Sequence, residues 1–127
     1  MIKHIILFIL LTTLLFANNY PNKTIDFIVG LGQGGSADRM SRAMALFLEE
    51  ELKTPIRVIN KKQNASLDAA NYVLEQDNDG YTVFSSTFSP YLGNTILNKK
   101  AKYSLDDFVF INLQWFEYDF IAVNKDS

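Results

Sequence analysis

Thr24-Ile25-Asp26-Phe27-Ile28-Val29-Gly30-Leu31-Gly32-Gln33-Gly34-Gly35-Ser36 is the stretch whose reading decides the fold. Its first half is rich in β-branched and aromatic residues and predicts a strand, whereas its second half is a glycine cluster that no regular element tolerates. Beyond the cluster, Ala37, Met40, Met44, Phe47 and Leu48 recur at helical spacing. Ser36 stands as the expected N-cap, and Asp38 falls in the first turn, where a negative charge favours the helix dipole. The pattern is therefore a strand, a glycine-rich turn and an amphipathic helix closing near Lys53-Thr54-Pro55.

The same alternation continues along the chain. Ile56-Arg57-Val58-Ile59 predicts a second strand, and a polar stretch over 60–66 leads to a helix with Leu67, Ala70, Val73 and Leu74 on one face. Asp79-Gly80 turns the chain into a third strand, Tyr81-Thr82-Val83-Phe84-Ser85, and Thr87 to Pro90 opens a third helix that runs to about Asn98. Six elements in βαβαβα order predict an α/β fold, with a mostly parallel sheet and helices on both faces. Two further apolar runs, over 108–113 and 116–123, read as strands.

The first residues have a different character. Met1-Ile2-Lys3-His4 is a short basic head, residues 5–16 are almost wholly apolar, and Phe16-Ala17 is followed by Asn18-Asn19. This is the layout of a secretory signal peptide cleaved after Ala17, because the apolar run is shorter than the roughly 20 residues a bilayer-spanning helix needs. Residues 1–17 are thus expected to direct export and residues 18–127 to form the folded part.

Composition narrows the function. The chain has 12 basic and 14 acidic residues, a formal net charge of −2, and no basic patch to hold nucleic acid. It has no cysteine, and its one histidine, His4, lies in the export segment. A Ser/His/Asp triad, a cysteine nucleophile and His or Cys metal sites are therefore excluded from the folded part, and the chain is expected to bind rather than catalyse, without a cofactor or metal.

Four constellations invite functional readings. Gly30, Gly32 and Gly35 form G-x-G-x-x-G between a strand and a helix, the place of a dinucleotide fingerprint. That fingerprint needs an acidic residue at the end of the second strand, where this chain has Asn60. The loop also suits close approach of backbone N–H groups to a carboxylate or phosphate at a helix start, and a tight turn that binds nothing is the third reading. Glu75-x-Asp77-x-Asp79-Gly80 imitates the start of a calcium loop, but Ser86 stands where the bidentate glutamate belongs, which makes it a helix end plus a turn. Trp115, Phe116, Tyr118 and Phe120 read as core in preference to a stacking surface, and Glu49-Glu50-Glu51 as a solvated helix face.

With these elements placed, the chain resembles the substrate-binding receptors of tripartite tricarboxylate transporters, the Bug receptors. The resemblance rests on Tyr20-Pro21-Asn22-Lys23-Thr24-Ile25, Gln33-Gly34-Gly35-Ser36-Ala37-Asp38, the strand-ending Asn60, Asp79-Gly80-Tyr81-Thr82 and Tyr103-Ser104-Leu105-Asp106-Asp107-Phe108. It implies part of a two-lobed type II periplasmic binding protein that traps a small organic acid and passes it to a membrane permease. Carried over by position, Gly34, Gly35 and Ser36 would supply one side of the ligand site and Ser85, Ser86 and Thr87 another, with Asp38 ordering the helix start. Where the family has Arg-Pro-Gly-Ala-Gly-Gly, this chain has Lys61-Lys62-Gln63-Asn64-Ala65-Ser66, which leaves three readings: the side chain of Asn64 or Ser66 replaces the lost backbone contacts, the ligand differs, or binding is lost. The resemblance further implies that residues 18–127 are the first part of an N-terminal lobe, with the second lobe absent. A truncated remnant with no binding of its own is the alternative, and a nucleotide-dependent enzyme a weaker third.

Overall fold

The computed structural model describes residues 20–114 and 122–125. Three strands, β1 (Ile25–Val29), β2 (Ile56–Asn60) and β3 (Thr82–Ser85), alternate with three helices, α1 (Ser36–Leu52), α2 (Leu67–Leu74) and α3 (Phe88–Leu97), and a 3-10 turn follows over Leu105–Asp107. The sheet has the order β2-β1-β3 and is parallel throughout, with Val29 level with Asn60 on one side and with Ser85 on the other. The α/β architecture and parallel sheet expected from the alternating pattern are what the chain adopts. No helix among the described residues is long and apolar enough to cross a membrane.

The central place of β1 explains its composition. A parallel strand with neighbours on both sides and helices on both faces has no solvated side, and Ile25, Phe27, Ile28 and Val29 are all buried. Each such side chain contributes about 1.5–3 kcal/mol by leaving water. The two-residue period of the strands sorts the core into two layers. Ile25, Phe27, Val58 and Val83 pack with Met44, Ala45 and Leu48 of α1, while Phe84 packs with Leu67, Ala70 and Leu74 of α2, Tyr91 of α3, and Tyr103 and Phe108 beyond it.

At the end of the sheet where the strands begin, two of the sequence signatures meet. The Tyr20 hydroxyl donates to the Gly80 carbonyl at 2.8 Å, the Asn22 N–H donates to the Tyr81 hydroxyl at 2.9 Å, and Lys23 pairs with Asp79 at 2.9 Å. Asp79 also accepts the Tyr81 N–H at 3.0 Å. The imitation calcium loop is thus a helix end plus a turn, clipped to the segment before β1. These residues stabilise the fold on the side away from the loops considered below.

Several expectations need correction. Gly35, not Ser36, is the N-cap of α1, and Ser36 is its first residue with no capping bond from its side chain. Phe47 is 69% exposed. Ala37, Met44 and Leu48 of the expected stripe do face the core, and Ser41 and Ala45 complete that face, because small residues spaced four apart let the helix approach β1 closely. Glu49 is not simply solvated, since its Oε1 accepts the Ile56 N–H at 2.7 Å and ties the end of α1 to the first residue of β2.

The run over 108–113 is not a strand. It follows the 3-10 turn as irregular backbone, with Phe108 packed on Tyr91 and Tyr103 and with Val109, Phe110, Ile111 and Leu113 exposed. β propensity alone does not make a strand without a ladder to join, and no described residue pairs with this run. The export segment with His4, and Trp115, Phe116, Tyr118 and Phe120 with most of the run over 116–123, lie outside the described residues; Ala122 and Val123 are irregular.

Candidate ligand-binding site

Because the strands are parallel, their C-terminal residues Val29, Asn60 and Ser85 come to one edge of the sheet. The loops over 30–35, 61–66 and 86–87 leave from that edge and lead into the starts of α1, α2 and α3. The chain passes from β1 to β2 on one side and then returns past β1 to β3 on the other. Such a reversal of strand order opens a crevice at the carboxyl ends of the strands, where open α/β sheets bind ligands. Gly34, Gly35, Ser36, Asp38, Ser66, Ser86 and Thr87 belong to these loops and helix starts, and Ser85 is the last residue of β3.

Asp38 organises the first loop. It is 2% exposed, and its carboxylate accepts bonds from the Gly34 N–H at 2.8 Å, the Asn60 amide at 2.9 Å and the Arg42 guanidinium at 2.9–3.1 Å. The hydrogen bond from Arg42 is the main reason its pKa falls to about 2; burial works the other way, and the bonds from Gly34 and Asn60 assist. Arg42 extends the same guanidinium to the Asn60 side-chain oxygen at 3.1 Å, and the Asn60 amide reaches the Leu31 carbonyl at 3.0 Å. Asn60, which stands where a dinucleotide fingerprint needs an acid, therefore fastens β2 to the glycine loop. Gly34 sits at φ +82°, a left-handed geometry that glycine adopts without a side-chain clash.

The serines form two short chains of hydroxyls. Ser41 donates to the Ala37 carbonyl at 2.7 Å and lies 2.7 Å from Ser85. With the single proton of Ser41 already used, Ser85 is the donor between them. On the other side of β1, Ser66 donates to the Gly30 carbonyl at 2.9 Å and lies 2.8 Å from Ser86, so Ser86 is the donor in that pair. A β-carbon on Gly30 would come within 2.5 Å of the Ser66 oxygen, and only glycine admits this approach. The result is that Ser66 and Ser85 are buried fasteners, Gly34 spends its N–H on Asp38, and Ser86 and Thr87 are half-buried at the rim.

The second loop is held in an uncommon conformation. Asn64, Ala65 and Ser66 have φ of 51°, 48° and 71°, three consecutive non-glycine residues in the left-handed region. Asn94 of α3, a buried side chain, donates to the Ala65 carbonyl at 2.7 Å, and Asn64 donates to Asp68 at 2.9 Å. The bond from Asn94 clamps the loop to the third helix. Sequence reasoning missed Arg42, Ser41 and Asn94. The spacing of Arg42 four residues after Asp38 was a usable signal for an ion pair, whereas nothing local marks Asn94.

Comparison with known proteins agrees with this geometry. The chain is 30% identical over 99 residues to the protein BugT of Bordetella pertussis, a match covering 76% of this chain and 30% of BugT. A second protein of that organism, described as a UPF0065 protein, is 28% identical over 90 residues, covering 71% of this chain and 28% of the relative. Its homologues are Bug proteins. A solved structure described as a periplasmic transporter superposes with a TM-score of 0.61 and 30% identity, over 66% of this chain and 28% of the other. No family model matches. The chain spans less than a third of the length of these Bug relatives. Against the Bug pattern quoted above, Ala65 and Ser66 stand at two glycine positions, and both keep the left-handed backbone that glycine would adopt without strain.

Proposed function

We propose that this chain is part of a periplasmic solute-binding protein that captures a small organic acid at the carboxyl edge of its sheet and delivers it to the membrane permease of a tripartite tricarboxylate-type transporter. The observation that carries the reading is the convergence of three loops and three helix starts at the reversal of strand order, in a chain related to BugT. Helix N-termini present N–H groups with no partner in their own helix, which suits a carboxylate. The similarity to a solved periplasmic transporter structure and the export-like first residues support a periplasmic location. Binding without chemistry accords with the absence of cysteine and with the single histidine at position 4.

Thermal unfolding of the full chain against di- and tricarboxylates tests this. A ligand at one hundred times its dissociation constant stabilises a protein by about 2.7 kcal/mol, enough to raise the melting temperature by several degrees. Absence of any shift at millimolar succinate, malate or citrate counts against capture by this chain and favours the remnant reading.

A further inference from the structure

We infer that Lys62 supplies the positive charge that holds the acid, in place of the backbone contacts a glycine-rich second loop would offer. This rests on the organic-acid reading above. The accounting of protons leads to it: Ser85 and Ser86 direct their hydroxyl protons inward, to Ser41 and Ser66, and turn only lone pairs outward. The Gly34 N–H is spent on Asp38 and the Gly35 N–H on the Gly32 carbonyl at 3.3 Å. An anion at this edge is left, among the residues first expected to hold it, with the hydroxyls of Ser36 and Thr87 and the N–H groups of the helix starts, none of which carries a full positive charge.

Lys62 offers what they lack. It is exposed, and its stem lies along the first loop, with Cδ 3.9 Å from where a β-carbon on Gly32 would be. Its ammonium, two bonds further on, has no hydrogen bond or ion pair with any described residue. Of the other cations nearby, Arg42 is engaged on Asp38 and Lys61 lies over the Tyr72 ring at 4.0 Å, while Arg39, exposed in the first turn of α1, has no ion pair among the described residues. Lys62 stands where the Bug pattern has proline, so the charge arrives at the position where the glycine-rich sequence is lost. A flexible ammonium needs no close backbone approach to reach a carboxylate.

The test is calorimetric titration of the full chain with succinate and citrate, with succinamide as the uncharged control, at low and high salt. Lys62→Gln weakens both acids by about tenfold or more and removes most of the salt dependence, while Lys62→Arg keeps both. Lys99→Gln, which removes a charge beyond the far end of α3, leaves the affinities unchanged. Lys62 is exposed, and circular dichroism confirms that the variants fold. Equal affinity of wild type and Lys62→Gln overturns the role of Lys62 and leaves the organic-acid reading standing. Failure of the wild type to bind either acid overturns both.

Discussion

At Asp38, a carboxylate with almost no exposure is balanced by one guanidinium and by donors from Gly34 and Asn60. Its pKa of about 2 lies below the unfolded value near 4. Because the folded state favours the ionised form, the contribution to stability is complete above about pH 4 and is lost as pH falls towards 2. It amounts to about 2 kcal/mol. Urea unfolding of wild type and Asp38→Asn between pH 7 and pH 2 checks this: the difference between the two narrows only below pH 4. The sequence made Asp38 legible as a helix-start residue, since first-turn acids favour the dipole. Its bond with Asn60 was not legible, because the two residues meet only when β2 lies beside β1.

The loop between β2 and α2 shows what an element costs when its residues resist its shape. A left-handed conformation is unfavourable for a residue with a β-carbon by about 1–2 kcal/mol, yet Asn64, Ala65 and Ser66 are held there by Asn94 and by the approach of Ser66 to Gly30. Asparagine tolerates this region and alanine does not, so Ala65→Gly is expected to stabilise the fold by about 1 kcal/mol, read as a higher urea midpoint with an unchanged slope. The strands and helices themselves were readable, since β-branched runs, glycine punctuation and helical spacing agree with one another. The face of α1 was readable only in part. Ala37, Met44 and Leu48 of the expected stripe do meet the core, but Phe47 is exposed, and the small residues Ser41 and Ala45 complete the face because the helix lies close to the sheet.

Among the described residues, apolar side chains remain on the surface at the end of α3 and beyond it: Ile96, Leu97, Val109, Phe110, Ile111 and Leu113 are all exposed. Patches of this kind drive association. Light scattering of the full chain is expected to show mass rising with concentration, and Ile111→Lys to reduce it without changing the melting temperature, since that side chain is 81% exposed. A melting temperature that falls with the substitution would show that Ile111 packs within the fold. The amino-acid sequence alone determined the alternation of strands and helices, the parallel sheet that follows from it, and the glycine loop at the end of β1, because these depend on local propensity and on periods of two and 3.6 residues. Tertiary structure decided which donors are spent and which stay free. Ser66, Ser85 and Asp38 turn inward and Lys62 does not, because hydrogen bonds across 22 to 44 residues of chain arise only from the packing of β1 between its two neighbours.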